Sequence, residues 1–271
     1  MNQHDARFSG IRRLFGNAGA ERLQSAHVCV IGIGGVGSWS VEALARSGVG
    51  TLTLVDLDDI CVSNVNRQIH ALDATIGKPK IDVMAERARA INPSVALHLK
   101  HEFFTESTAS DILQTPFNFV LDAIDGPAKK CLLISACRER KIPVFVVGGA
   151  GGRKDPQALK ITDLAHSTHD RLLQAVRSTL RKEHGFPCAE KKLFGIDCLF
   201  SPEPVHYPQS DGTVCTTREE GSTLRLDCDS GYGTAAFVTG AFGLAAAGYI
   251  VRKIAEKRAD EQVTAESSAL D

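Results

Sequence analysis

The run Gly32-Ile33-Gly34-Gly35-Val36-Gly37 has the form G-x-G-x-x-G, and its flanks fix how it is used. Before it, "HVCVI" is an apolar, β-branched stretch of strand character. After it, "SWSVEALARSGV" has helical spacing and stops at Gly48. A strand that turns through glycines into a helix lets the backbone approach a ligand closely and aims free N–H groups at a phosphate. A chain built on this unit folds as a parallel α/β sheet with a nucleotide site at the strand end. The motif alone does not separate NAD from ATP.

The rest of the chain repeats the rhythm. Residues 7–22 read as a helical lead-in, "TLTLVDLD" as a second strand, Lys80–Ile91 as an amphipathic helix stopped by Asn92-Pro93, and "VALHLK" as a third strand. "FNFVLDAID" is a fourth strand, "KKCLLISACRERK" a helix and "IPVFVVGGAGG" a fifth strand. Regular alternation of strand and helix predicts an α/β, doubly wound, mostly parallel sheet of Rossmann-like type. After Gly152 the pattern changes. "ALKITDL" is a candidate strand, residues 170–184 a basic amphipathic helix, and residues 185–233 a loop-rich C-terminal insertion. The expected organisation is one domain over residues 1–258, with a nucleotide-binding half (1–152) and a C-terminal half with the insertion (153–258). A frayed polar tail follows over 259–271.

Residues 234–251 carry no charge and precede Arg252-Lys253. The length is close to a membrane span, but the Gly/Ala-rich composition equally describes a helix buried in a soluble fold. Both readings stand here: a buried helix, or weak membrane association through this segment. The net charge of −1 supplies no global attraction to nucleic acid or membrane, so any basic surface must be local. None of the eight cysteines forms a C-x-x-C pair, the usual mark of structural zinc. With no signal peptide apparent, reduced thiols and a cytoplasmic location are expected.

The second strand ends at Asp56, where a ribose-binding acid belongs. A dinucleotide site needs little more. Yet Asp58, Asn64, Arg67 and Gln68 crowd the next turn and Lys80 follows. Two cations and two amides suit a triphosphate, because cations neutralise phosphate oxygens and amides hydrogen-bond them. An NAD(P) oxidoreductase leaves these groups unexplained. The fourth strand ends with Asp122 and Asp125. A carboxylate opposite a triphosphate is the natural Mg²⁺ ligand, and Asp125 is the choice, with Asp122 capping the turn.

The segments "GIGGVGS", "LVDLDDICVSNVNRQ", "ATIGKPK" and "DAIDG" resemble the adenylating domain of the E1-like superfamily. The resemblance implies a homodimer that binds Mg·ATP and lets a carboxylate attack the α-phosphate. By match, Gly35 lies at the phosphates and Asp56 at the ribose, and Gly34 of the same loop is a further candidate for cofactor binding. Asn64, Arg67 and Lys80 contact the phosphates, and Asp125 holds Mg²⁺. The superfamily's N-terminal R-Q pair, whose arginine reaches the partner subunit's ATP, falls on Gly10 here. Arg13, with Arg7 and Arg12 nearby, is the candidate for that finger. The zinc-binding cysteine pairs of the thiamine and molybdopterin branches are missing. This argues against the alternative activity, adenylation of a small ubiquitin-like sulfur-carrier protein.

"RRLFG", "RQIHAL", "GGAGG", "DCLFSPEPVHYPQSDGTVC" and "DCDSGYG" are similar to the tRNA threonylcarbamoyladenosine dehydratase family, nearly end to end. That resemblance implies ATP-dependent activation of the threonylcarbamoyl carboxylate at adenosine 37 of tRNA, then cyclisation with loss of AMP. It also implies a cysteine desulfurase and its sulfur-acceptor protein as associates. Ring closure is intramolecular and needs orientation, not an enzyme nucleophile, so Cys188, Cys198, Cys215 and Cys228 have no required catalytic role. Arg171, Arg177, Arg181 and Lys182, with Lys191 and Lys192, are candidates for contact with tRNA phosphates. A non-catalytic nucleotide-sensing protein is the remaining rival.

Overall fold

In a computed structural model that describes residues 6–189, 192–219 and 232–257, the expected alternation is present. Helix α1 (Ser9–Ser25) leads into β1 (His27–Ile31), and the glycine loop delivers the chain to α2 (Gly37–Arg46). Then come β2 (Thr51–Val55), α3 (Lys80–Ile91), β3 (Ala96–Lys100), the short α4 (Ala109–Ile112), β4 (Phe119–Asp122), α5 (Pro127–Glu139) and β5 (Val144–Val147). The second half holds β6 (Lys160–Asp163), α6 (Arg171–Glu183), β7 (Asp197–Phe200), the small β8 (Tyr207–Pro208) and β9 (Val214–Cys215) ladder, and α7 (Ala236–Ala255). The proposed tail, 259–271, lies outside the described residues.

The main sheet has seven strands in the order β3-β2-β1-β4-β5-β7-β6. All neighbours are parallel except β6, which runs against β7. One correction to the sequence reading concerns β7. It lies inside the segment expected to be loop-rich, yet it pairs with β5 and extends the sheet. "DCLF" is too short, among Pro and Gly, to announce itself as a strand. Its apolar residues are nonetheless buried, with Cys198 and Leu199 against β5.

Apolar side chains cover both sheet faces, as parallel strands require. On one face Val28, Val30, Leu52 and Leu54 meet Val41 and Leu44 of α2, Ile81 and Met84 of α3, and Val238, Phe242 and Ile250 of α7. On the other, Ile31 and Val120 meet Leu133 and Cys137 of α5, and Val146 and Cys198 meet Leu173, Val176 and Leu180 of α6.

Helix α7 resolves what its Gly/Ala content is for. By length and composition it could cross a membrane, but in the fold it packs against α1 and α2. A Cβ on Gly243 would lie 2.6 Å from the Val36 carbonyl and from the Trp39 Cβ. The Ser40 hydroxyl donates to the Gly243 carbonyl across this contact (3.0 Å). Small residues here allow two helix backbones to touch. The stripe Val238, Phe242, Ala246, Ile250 and Ile254 then fills the core.

Candidate active site

The sheet order reverses between β1 and β4, and in such sheets the crevice at the carboxyl ends of those strands receives ligand. A cleft of about 1040 Å³ opens there. Gly32 forms its floor with φ +90°, a left-handed conformation that favours glycine. A Cβ there would lie 2.8 Å from the Ala123 carbonyl of the β4 turn.

On the β2 side, Asp56 is held from two directions. One carboxylate oxygen accepts the Ile33 N–H (2.6 Å) and the other the Asp58 N–H (2.9 Å). Burial pushes its carboxyl up from the ordinary carboxylate value, against the opposing pull of Lys80 and of the two N–H groups. The acid is therefore tied to the glycine loop that it follows by one strand. Lys80 starts α3 and donates from Nζ to Asp58 (2.7 Å). Lys80 is 8% exposed and Asp58 is 52% exposed, so a buried ammonium is steered by a carboxylate that faces the cleft mouth.

The intervening loop is equally fixed. Asn64 is buried, and its side-chain Oδ1 accepts the Cys61 N–H (3.1 Å). The Arg67 carbonyl accepts from Trp39 Nε1 (3.1 Å) and Thr239 Oγ1 (2.9 Å), which clamps the loop between α2 and α7. The Arg67 guanidinium donates to the Ser63 carbonyl (2.5 Å) and to Asn66 (3.0 Å). Gln68 is 6% exposed and its side-chain Oε1 has no hydrogen-bond partner among the described residues. Asp125 stands exposed on the loop after β4. Gly34, Gly35, Asp56, Asp58, Asn64, Arg67, Gln68, Lys80 and Asp125 all line the one cleft.

The β5 side forms a second lobe that the sequence reading did not assign. The glycine-rich stretch at 148–152 faces Asp170, the N-cap of α6. One Asp170 oxygen accepts the Gly149 N–H (2.8 Å) and the other the Leu173 N–H (2.9 Å). A Cβ on Gly148 would sit 2.2 Å from that carboxylate. Arg153, Arg171, Tyr232 and Thr234 complete the wall. The sequence signals for this lobe were the stretches "GGAGG" and "DCDSGYG" and the basic helix that carries Arg171, and none of them gave Arg153 or Asp170 a role.

The ThiF family pattern matches residues 9–269. The chain belongs to the ThiF family. Among its curated relatives, the tRNA threonylcarbamoyladenosine dehydratase of Escherichia coli strain K12 is 45% identical over 254 residues, spanning 93% of this chain and 95% of that protein. The enzyme of the same name from Haemophilus influenzae is 44% identical over 259 residues, spanning 95% and 97%. A crystal structure of the E. coli tRNA N6-threonylcarbamoyladenosine dehydratase in complex with ATP superposes with a TM-score of 0.82 at 40% identity, over 92% of this chain and 94% of that one. Within the ThiF family the chain therefore stands in the tRNA threonylcarbamoyladenosine dehydratase branch.

Other residues of this ThiF-family chain sit away from the cleft or are spoken for. Asp122 is fully buried, pairs with the equally buried Lys130 (3.0 Å) and accepts the Ile124 N–H (3.1 Å). Burial raises its carboxyl and Lys130 opposes the rise. It caps the turn that presents Asp125. Arg13 is exposed on α1 and does not border its own chain's cleft. Arg7 donates to the Ile91 carbonyl (3.0 Å) and Arg12 to Asn17 (3.1 Å), whereas Arg13 has no partner among the described residues.

The basic face expected on α6 is partly committed to the fold. Arg177 is half-buried and bonds the Ser167 hydroxyl, and Arg181 donates to the Pro187 carbonyl (3.2 Å) over the Phe194 ring. Arg171 and Lys182 remain exposed, and Lys191 lies outside the described residues. Of the four cysteines weighed, Cys188 and Cys215 are exposed thiols. Cys198 is buried, its thiol pushed up to about 12 chiefly by desolvation, and Cys228 is outside the described residues.

Proposed function

We propose that this chain is an ATP-dependent tRNA threonylcarbamoyladenosine dehydratase. The observation that carries the reading is the gathering of Asp56, Arg67, Lys80 and Asp125 on one cleft in a chain 45% identical, over 93% of its length, to a dehydratase of that name. Asp56, pre-set by two N–H groups, receives the ribose. Backbone at Gly34 and Gly35 and the amides of Asn64 and Gln68 hold phosphate oxygens. Arg67 and Lys80 neutralise them, and Asp58 keeps the Lys80 ammonium in place.

Asp125 is the residue to hold Mg²⁺. Among the described residues no three His, Cys, Asp or Glu side chains gather to bind a metal. A single carboxylate at a phosphate site suits Mg²⁺, which takes its other ligands from phosphate and water. Bound there, the ion would draw charge from the phosphates.

The substrate carboxylate attacks the α-phosphorus, and the bond to pyrophosphate breaks. The threonylcarbamoyl group then closes on its own acyl carbon through a carbamoyl nitrogen. The carboxylate oxygen departs with AMP, so the net change in the tRNA is loss of one water. The second step gains from proximity alone.

We extend the reading to a homodimer in the cytoplasm, with Arg13 reaching the partner's ATP. Support comes from the exposed apolar side chains Phe237 (60%) and Leu244 (50%) of α7, with Val62 (73%) and Val65 (52%) of the clamped loop and Leu14 (72%) beside Arg13. A second subunit could cover these side chains. Seven unpaired thiols among the described residues suit a reducing compartment. Residues 1–258 act as one adenylating domain, since β6 and β7 extend the sheet that the first half begins. A cysteine desulfurase and its sulfur acceptor are associates implied by the resemblance. Adenylation of a sulfur-carrier protein is the weaker alternative, because the cysteine pairs of that branch are missing.

Nucleoside mass spectrometry decides. tRNA bearing threonylcarbamoyladenosine, incubated with the protein and Mg·ATP, is expected to lose one water and release AMP. Unchanged tRNA would overturn the reading.

A further inference from the structure

Arg153 follows the glycine run after β5 and borders the second lobe of the cleft. It is 4% exposed. Nη2 donates to the His169 carbonyl (2.9 Å), while Nε and Nη1 have no hydrogen-bond partner. The neighbouring acids do not supply one. Both Asp170 oxygens are taken by the Gly149 and Leu173 N–H groups. Glu203 accepts the N–H groups of Lys154 and Asp155 at 3.0 Å. Burial draws the Arg153 guanidinium below its ordinary value, with Asp170, Glu203 and Tyr207 acting against the drop.

A buried cation with idle donors is unfavourable unless something anionic meets it. The sheet order places this demand away from the nucleotide residues. Asp56 and Lys80 lie on the β2 side, the glycine loop follows β1, and Arg153 lies beyond β5. A guanidinium fork matches a planar carboxylate.

Resting on the reading of this cleft as a carboxylate-adenylating site, we propose that Arg153 receives the carboxylate to be activated. Arg153 borders the cleft together with Gly148, Gly149 and Gly151, so this lobe is open to a substrate. Arg153 then neutralises the approach of one anion to another and so sets specificity for an acid.

The test uses the full protein and an anticodon stem-loop carrying threonylcarbamoyladenosine, beside the same RNA with its carboxylate converted to a carboxamide. Wild-type protein should bind the acid at least about tenfold more tightly, as a charged hydrogen bond implies. In Arg153→Gln that preference should fall to within about twofold, and Arg153→Lys should restore part of it, because Lys keeps the charge and loses the fork. Mg·ATP affinity should stay unchanged in all three proteins, a split that a loss of fold would not produce. Equal binding of acid and amide by wild type overturns the proposal. So does full acid preference in a folded Arg153→Gln, or in Arg153→Lys if the glutamine variant does not fold. Failure of wild type to cyclise the acid RNA strikes the dehydratase reading instead. Normal cyclisation with an unchanged preference strikes this assignment alone.

Discussion

Asp122 and Asp125 are three residues apart, and the fold gives them opposite tasks. Asp122 is sealed against Lys130 and caps the turn, and Asp125 is exposed in the cleft. If Asp125 holds the metal, Asp125→Ala should slow ATP-dependent pyrophosphate release on the order of 10³-fold, from several kcal/mol of lost charge stabilisation. Its melting temperature should stay near wild type, since the side chain supports no buried contact. Near-normal pyrophosphate release from the folded variant would move the metal to another acid. Removing Asp122 should instead lower stability, because Lys130 would be left buried and alone. The distinction was legible in the sequence, since the two acids straddle a strand end. Asp56 and Lys80 were legible for the same reason, at the start or end of clear elements. Arg153 and Asp170 were not. Their surroundings come from contacts across the fold, such as the bond from Gly149 to Asp170, 21 residues further along the chain, and no local pattern encodes them.

Among the elements, the strands with long apolar runs and the helices with regular spacing were readable from residue order. β7 was missed because four residues among turn formers carry too little periodicity. Only its position between β5 and β6 makes it a strand. Helix α7 was ambiguous in sequence and is explained by close approach. Its glycines divide accordingly. Gly243 meets Val36 and Trp39 at 2.6 Å, whereas nothing lies within 4 Å of a Cβ on Gly248. Gly243→Ala should therefore destabilise the protein by about 1–3 kcal/mol through overpacking. Gly248→Ala should stabilise it by roughly 0.5–1 kcal/mol through helix propensity. Thermal denaturation of the pair checks both signs. Destabilisation of equal size at the two positions would mean that α7 does not sit against α2 as described.

At the scale of the whole molecule, Arg67 and Lys80 line the cleft and Arg13 of α1 does not, so an Arg13 finger can act only across a dimer. Arg13 points into solvent on its own chain, beside exposed Leu14 and without a partner among the described residues, while Arg7 and Arg12 are both hydrogen-bonded. A finger that acts across a two-fold dimer must come from such a residue, free until the second subunit arrives. If the chain pairs with a second copy, the exposed apolar side chains on α7 and the clamped loop are candidates for its contact. An arginine finger can be worth roughly 10³–10⁵ in rate, so Arg13→Ala alone should be nearly inactive while still binding ATP. Lys80→Ala alone should be inactive as well. Mixed and allowed to exchange, the two variants should regain about a quarter of the wild-type rate. Half the dimers are then mixed, and each mixed dimer rebuilds one site of its two. Native mass spectrometry of the mixture establishes that exchange has occurred. Mixed dimers without recovered activity would place Arg13 outside the partner's site, and activity retained by Arg13→Ala alone would remove it from catalysis.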